Sequence, residues 1–310
     1  MSTTVATRRP RAGRRETVAG WAMMAPAAVG LLLFVLLPFL LAAWLSTQNV
    51  RLDTPQPPSW FGLEHYRRIL VDPDFRGEFW TGLRNNLIFA AVVVPVQTGL
   101  ALALAVLLNR PLRGMPVFRT FFFMPVVFPM ALVAVIWKVI YTRGELGLLN
   151  SVLETVSFGL IPAQDWLGNP RTALLAIIIM SIWQGAGLQM VILLAGLQGI
   201  PGELYEAAAL DKAGPWQRFR HVTLPGLRNT LIFVAMVTTI LSFRVFDQVY
   251  IMTGGGPQDA TTTVMYQAVT TAFTANNVGR ASAITVLFFL IVLTITLVQR
   301  RVLREEREIA

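Results

Sequence analysis

The chain has 310 residues, of which 55% are hydrophobic and 14% are charged, and its mean hydropathy is +0.58. A water-soluble domain carries about 25% charged residues, so this composition excludes an ordinary soluble enzyme and indicates a membrane protein. The sequence has no cysteine and two histidines, which excludes a disulfide, a thiolate metal site and a histidine cluster. The net charge of +9 arises from basic residues at the ends of apolar segments, a distribution that argues against nucleic acid as a partner.

Six apolar segments are long enough to cross a membrane as helices, since a bilayer core of about 30 Å needs roughly 20 apolar residues. They are approximately 20–45, 85–108, 118–140, 172–197, 229–252 and 281–299. The apolar part of the first, from Trp21 to Leu45, is longer than the core of a signal peptide, so we interpret it as a retained span. The sequence therefore predicts an all-α integral membrane protein with six transmembrane helices.

Lys and Arg flank these segments unequally. They concentrate in an arm of residues 1–19, after the second and fourth segments, and in a tail of residues 300–310. Because cytoplasmic flanks are enriched in Lys and Arg, we expect both termini in the cytoplasm. Three loops, at about 46–84, 141–171 and 253–280, then face outward.

The first outer loop contains Pro55, Pro57 and Pro58 ahead of the aromatic stretch Trp60–Tyr66. This stretch is too apolar for a disordered linker. We expect it to form a short helix at the membrane interface.

The inner loop at 198–228 carries a pattern of helix boundaries. Pro201 suits the first position of a helix, where its missing N–H has no partner. Gly214 fits a left-handed C-cap, and Pro215 can start a second helix. That helix is expected to end at Leu224, because a residue before proline is pushed out of the helical region. The pattern predicts a cytoplasmic helix–turn–helix.

The same loop resembles a known family. Permeases of bacterial ATP-binding-cassette importers carry E-A-A, three residues, G, nine residues, then I-x-L-P. The positions of this pattern are held by Glu206, Ala207, Ala208, Lys212, Val222, Leu224 and Pro225. Lys212 stands where the family has glycine. The resemblance implies that the loop docks on an ATPase subunit, through Glu206, Ala207, Ala208, Asp211, Lys212, Gly214, Leu224 and Pro225.

The resemblance extends toward importer permeases of the carbohydrate and glycerol-3-phosphate type, most distinctively at Phe246–Pro257. It implies the type I permease fold, with a five-helix core at 85–299 and a peripheral first helix at 20–45. It also implies a bacterial inner-membrane location and three kinds of partner: a second, similar permease, two cassette ATPase subunits and an extracytoplasmic solute-binding protein. The chain has no G-x-x-x-x-G-K-[ST] sequence. We therefore expect no enzymatic activity and no cofactor on this chain, with ATP and Mg²⁺ bound by the partner ATPase.

Polar residues inside spans are costly and usually face a cavity or a partner. Arg244 and Asp247 lie three apart on the predicted fifth helix, a spacing at which they can pair. The candidate solute path comprises Gln184, Gln189, Ser242, Phe243, Arg244, Phe246, Asp247 and Gln248. The alternatives are a structural pair at the interface for Arg244 and Asp247, and hydrogen bonding between helices for the glutamines.

The predicted function is therefore that of the permease subunit of an ATP-driven importer, with a di- or oligosaccharide as the expected solute. Glycerol-3-phosphate or a glycerophosphodiester is the alternative solute. A stand-alone secondary transporter is the alternative from another class, although clear internal repeats with matching helix breaks are not apparent.

Overall fold

The structure is a computed structural model that describes residues 14–54, 57–144 and 147–303. Within that part of the chain, nearly all regular structure is helical, as the sequence predicts, and two short strands form the remainder. The arginines of the arm before residue 14, Pro55, and the basic tail beyond residue 303 lie outside the described residues.

The first span is nearly continuous. It consists of α1 (Arg14–Leu31), a π-helical turn (Leu32–Leu36) and α2 (Leu37–Leu45). Pro38, the second residue of α2, follows this turn. Prolines and π-helical turns are common causes of a bend in a helix. The span packs on the rest of the chain mainly through α2, where the ring centroids of Phe39 and Phe289 lie 4.6 Å apart. This arrangement leaves the first span at the periphery.

The outer segment after α2 folds back as strand β1 (Gln48–Asn49), strand β2 (Ser59–Trp60) and helix α3 (Glu64–Leu70). The strands are antiparallel. The prediction of a short helix over Trp60–Tyr66 is therefore wrong for its first four residues. The main chain at Trp60 pairs with β1, and the helix begins only at Glu64.

Three further helices are long: α4 (Pro73–Leu108), α8 (Ala173–Gln198) and α15 (Val278–Val302). A shorter helix, α7 (Leu148–Val156), lies in the outer loop before α8. The loop around α7 is held by Asn150, whose side chain bonds the main chain of Gln164 in both directions and accepts from Trp166 Nε1 at 2.8 Å. The outer connection that leads into α8 is thus held in a defined conformation by side-chain hydrogen bonds.

The predicted third span is two helices, α5 (Met115–Val127) and α6 (Met130–Ile140), which meet at 97°. The segment 118–140 is therefore not one straight helix, although the bent pair passes together as a candidate span. Pro129 forces Phe128 into extended geometry, with φ −77° and ψ 138°, because a residue before proline avoids the helical region.

The inner loop and predicted fifth span comprise α9 to α13. Their bounds are α9 (Gly202–Leu210), α10 (Pro215–Arg218), α11 (Leu224–Gly226), α12 (Arg228–Phe243) and α13 (Asp247–Met252). The single helix predicted over 229–252 is wrong, because residues 244–246 leave the helix between α12 and α13. The outer loop then adds an unpredicted helix, α14 (Val264–Phe273).

Side chains of α4 hold this outer loop in place. The amide of Asn85 donates to the carbonyls of Asp259 and Thr262 at 3.0 and 2.9 Å. The side-chain oxygen Oδ1 of Asn86 accepts from the N–H of Val264 at 3.0 Å. The start of α14 is consequently fixed against the outer half of α4.

Four helices in the described residues are long and apolar enough to cross a membrane by length and composition. They are Ala19–Leu45, Arg76–Leu108, Ala173–Gln198 and Val278–Val302. The count reaches the six predicted spans when the pair α5 and α6 and the bent pair Pro215–Gly226 and Arg228–Phe243 each count as one.

Candidate functional site

The inner loop between α8 and α12 is the first candidate site. Pro201 lies just before the first helical residue of α9 rather than on it. The second helix of the loop does not end at Leu224 as predicted. A π-helical turn (Phe219–Thr223) continues it from α10, and Leu224 keeps helical angles and donates its N–H to Phe219 O. Pro225 then stands in the first turn of α11, a position at which helices tolerate proline.

A left-handed residue closes the turn between α9 and α10. Lys212 has φ +56°, and its N–H donates to Ala209 O at 3.0 Å. The N–H of Ala213 donates to Ala208 O at 2.9 Å. These two bonds form a Schellman C-cap, whose left-handed position is usually glycine. The prediction of a left-handed Gly214 is therefore wrong: Gly214 is extended and precedes α10, because the turn closes two residues earlier.

The two halves of this loop are tied together by hydrogen bonds, while several of its side chains stay exposed. Tyr205 Oη lies 3.0 Å from Thr223 Oγ1, and Arg218 Nε donates to Ala213 O at 2.8 Å. Glu206 is exposed and makes no hydrogen bond or ion pair with any residue the structure describes. Trp216 is 70% exposed on the same loop. The helical connector thus exposes a carboxylate and a large apolar side chain at its surface.

The second candidate site is a cavity of about 350 Å³ among α4, α6, α8, α12 and α13. Its lining combines apolar and polar side chains. The polar and charged lining residues are Gln97, Ser181, Gln184, Thr238, Ser242, Arg244, Asp247 and Gln248. The cavity lies near the middle of α8, which places it deep within the spans.

The helix break at residues 244–246 shapes the mouth of this cavity. Arg244 directly follows α12 and Asp247 begins α13, and both are exposed. The predicted Arg244–Asp247 pair is not formed: neither side chain makes an ion pair within the described ranges. Phe246, at φ −141° and ψ −61°, turns the chain between them and removes the helical spacing on which the pairing depended. Both charges are consequently left for another partner.

Ser242 provides a further unsatisfied group. It is 3% exposed, lines the cavity, and its Oγ has no hydrogen-bond partner in the part of the chain that is described. Buried hydroxyls are nearly always bonded. Across the cavity, Gln248 Nε2 donates to Ser181 Oγ at 3.4 Å. The cavity wall can therefore offer donors and acceptors to a polar solute.

Five of the eight predicted path residues line this one cavity: Gln184, Ser242, Arg244, Asp247 and Gln248. The other three lie elsewhere. Gln189 is buried against Thr238, Phe243 packs on Phe288, and Phe246 stacks on Tyr250 with a centroid separation of 5.4 Å.

The apolar part of the lining was not predicted. It includes Phe89 and Val93 of α4, Met130 at the start of α6, and Val245 in the helix break. Pro129 was a usable signal for Met130, because a proline that breaks a span exposes the next helix end. Phe89 and Val93 carry no such signal, since they resemble any apolar residue of a span.

A family model described as "Binding-protein-dependent transport system inner membrane component" matches residues 97–307. The chain is 36% identical over 294 residues to the trehalose/maltose transport system permease protein MalF of Thermococcus litoralis, covering 95% of this chain and 96% of that one. It is 34% identical to the lactose transport system permease protein LacF of Rhizobium radiobacter, covering 81% and 82%.

Solved structures show the same fold. A permease chain of a bacterial transporter that imports the acidic polysaccharide alginate matches with a TM-score of 0.78 at 19% identity, over 95% of this chain and 98% of that chain. A second structure, of the alginate transporter in complex with a pentasaccharide-bound periplasmic protein, matches with a TM-score of 0.79 at 18% identity, over 94% and 95%. The predicted type I permease fold is confirmed.

Proposed function

The chain belongs to the family of binding-protein-dependent transport system inner membrane components, and from this premise we propose that it forms half of the path by which a di- or oligosaccharide is imported. A second permease supplies the other half in this proposal. Two separate cassette ATPase subunits drive it, and an extracytoplasmic binding protein delivers the solute.

The cavity beside the helix break is the observation that carries this proposal. Arg244, Asp247 and Ser242 present a cation, a carboxylate and a buried hydroxyl without partners among the described residues. Sugar hydroxyls both donate and accept hydrogen bonds, so they match such a mixed set. The names of the relatives, for trehalose, maltose and lactose, agree in chemical class.

Glycerol-3-phosphate or a glycerophosphodiester is the second candidate solute, and Arg244 is the observation that favours it. A phosphate is best held by several cations or by bidentate Arg. Among the described residues that line this cavity, Arg244 is the one cationic side chain, and Asp247 beside it would repel an anion. A neutral sugar therefore fits this half of the path better.

The inner loop is the proposed coupling element. Glu206, Ala207 and Ala208 lie on α9, and Asp211, Lys212 and Gly214 form the turn that follows. Leu224 and Pro225 begin α11, one short helix before α12. Closure of the ATPase pair against α9 would be passed through Tyr205 and Thr223 to α12, whose far end borders the cavity. The cavity would then alternate in access between the two sides.

The proposed setting is the bacterial inner membrane with both termini in the cytoplasm, which places the inner loop on the same side as the ATPase. In this arrangement ATP and Mg²⁺ are bound by the partner subunits and this chain binds no cofactor. The chain then acts as a transport subunit without catalysis of its own.

Uptake of radiolabelled maltose, trehalose and glycerol-3-phosphate tests the proposal, in cells that carry the complete importer with this chain replaced by variants. We expect Asp247→Ala to lower sugar uptake by about tenfold or more, since a hydrogen bond to a charged group contributes about 1.5–3 kcal/mol. Ile240→Ala, on the exposed side of α12 away from the cavity lining, is the control and should transport normally.

Two results would redirect the proposal. Uptake of glycerol-3-phosphate that requires Arg244, with no sugar uptake, would select the phosphate-bearing solute. Uptake that survives ATP depletion but stops with an ionophore would indicate a secondary transporter.

A further inference from the structure

A polar stripe on α8 runs from the cavity toward the inner loop. Ser181, Gly185 and Gln189 follow one another at four-residue spacing, so they share one face of the helix. Thr238 and Ser242 have the same spacing on α12. The cavity is lined by four of these residues and stops short of Gln189.

Gln189 closes the inner end of this stripe. It is 6% exposed, and its Nε2 donates to Thr238 Oγ1 at 2.5 Å, which joins α8 to α12. The Oε1 atom of the same amide is buried and has no hydrogen-bond partner among the described residues. Because buried amides are nearly always satisfied, a half-satisfied amide beside a solute cavity calls for an explanation.

Beyond this bond, toward the inner loop, the interior becomes apolar. Leu193, one turn after Gln189, and Val234, one turn before Thr238, are fully buried in a cluster that includes Met190. The Gln189–Thr238 bond therefore lies at the boundary between the polar cavity and a dry core.

We propose that the Gln189–Thr238 hydrogen bond is the inner gate of the solute path, and that the Gln189 amide exchanges Thr238 for solute hydroxyls as the path opens by one helical turn. This inference rests on the proposed function of the cavity. When Gln189 leaves it, the Thr238 hydroxyl still has a hydrogen-bond partner, because Thr238 Oγ1 also donates to Val234 O at 2.7 Å. It gives Gln189 a partner for each end of its amide, which the closed arrangement does not.

The position of Gly185, one turn before Gln189 on α8, supports the proposed gate. A Cβ on Gly185 would lie 2.5 Å from Nε2 of Gln97, a residue of α4 that lines the cavity. The glycine thus lets a second amide approach α8. Polar groups on α4, α8 and α12 converge just outside the gate.

The lack of native cysteine makes a direct test possible, because any introduced thiol is the one reactive thiol in the chain. Gln189→Cys, Thr238→Cys, Ser242→Cys and Met190→Cys are each expressed within the complete importer. Each is treated with a small membrane-impermeant methanethiosulfonate, with and without trehalose and maltose under energised conditions. Ser242→Cys reports the cavity, and Met190→Cys, on the apolar side of α8, is the matched control.

We expect Gln189→Cys and Thr238→Cys to be labelled about tenfold or more faster during transport, because a minor open state of about 0.1–10% becomes substantially populated. Met190→Cys should stay unlabelled throughout. The two gate variants lie on facing helices, so either one carries the test if the other does not reach the membrane.

The failures are distinguishable. Labelling of Ser242→Cys without labelling of either gate variant would overturn the gate and leave the cavity as the solute path. No labelling of Ser242→Cys during transport would overturn the proposed path and the gate with it. Equal labelling of Met190→Cys would show that the whole core opens, which also contradicts a gate on the polar face.

Discussion

At the scale of single residues, His65 shows how burial sets a charge state. Its Nε2 lies 3.1 Å from Gln48 O beneath the outer strand pair. Burial, with smaller effects of Arg68 and Arg280, lowers the pKa of His65 below its usual value, against the opposing effects of the Gln48 hydrogen bond and Glu64. The neutral ring is therefore the form that the folded outer segment favours.

This lowered pKa predicts a loss of local stability in acid. The unfolded ring takes up a proton below about pH 6.5 while the folded ring resists it, so the stabilisation is full above that pH and declines below it. We expect amide exchange at Gly279, whose N–H bonds Val50 O, to accelerate as pH falls below about 6.5, after correction for the intrinsic rate. His65→Gln should remove this dependence, and an unchanged profile in that variant would assign it to another group.

Glu206 gives a second residue-scale prediction. It is exposed on α9 without a partner in the described chain, so its removal should leave folding intact. We expect Glu206→Ala to lower coupled uptake by about tenfold, which corresponds to about 1.4 kcal/mol of lost coupling. Glu203→Ala, which removes the same charge one turn earlier, is the control. Equal loss in both variants would mean that general charge rather than docking matters.

At this scale, the polar residues that line the cavity could be predicted from the sequence more reliably than the contacts between them. Spacing identified Ser242 and Asp247 as neighbours of a path, and both line the cavity. It also paired Arg244 with Asp247, which failed because residue spacing on an assumed helix says nothing once the helix breaks. Polarity within a span suffices to predict Gln189 as a path residue, but only the structure shows that one end of its amide lacks a partner among the described residues.

At the scale of elements, the turn after α9 explains why the family has glycine where this chain has Lys212. The position is the left-handed residue of a Schellman cap, at φ +56°. A left-handed conformation costs a non-glycine residue about 1–2 kcal/mol. The turn is preserved here at that cost.

Lys212→Gly should therefore stabilise the cap by up to about 1 kcal/mol, less the entropy that glycine adds to the unfolded chain. Slower amide exchange at Ala213, which bonds Ala208 O across the cap, measures this effect. Lys212→Val should accelerate exchange at the same amide, because a β-branched residue fits left-handed geometry poorly. Identical exchange in both variants would contradict the assigned role of this position.

Close packing between α5 and α8 supplies another element-scale prediction. A Cβ on Gly187 would overlap the carbonyl oxygen of Phe122, whereas a Cβ on Gly99 would meet no atom of a described residue within 4 Å. We expect Gly187→Ala to destabilise the purified importer by about 1–3 kcal/mol, as overpacking does, and so to lower its unfolding temperature. Gly99→Ala should be neutral or slightly stabilising. A similar fall in both would assign the effect to helix glycine in general.

Element boundaries were predictable where backbone chemistry is local. The break at Phe128 follows from Pro129, and the start of α10 follows from Pro215. The break at residues 244–246 contains no proline or glycine and depends on how α13 packs against α6, including the bond from Lys138 Nζ to Ile251 O at 2.9 Å. Such a break is set by tertiary contacts, which a hydropathy pattern does not contain.

At the scale of the whole molecule, the inner loop and the cavity are two separate candidate sites. The inner loop presents an exposed helical face, and the cavity lies at the far end of α12, the helix that follows that loop. The cavity mouth leaves Arg244 and Asp247 unpaired within the described residues, and Glu206 has no partner there. An assembly with a second permease and an ATPase would supply what is missing on both sides.

The most direct test of this account is the composition of the native assembly. The tagged chain is extracted from its own membrane in mild detergent, and every co-purifying protein is identified. We expect to recover a cassette ATPase, a second permease and, with solute present, an extracytoplasmic binding protein. Recovery of the chain alone, under conditions in which a known importer of this class stays intact, would contradict it.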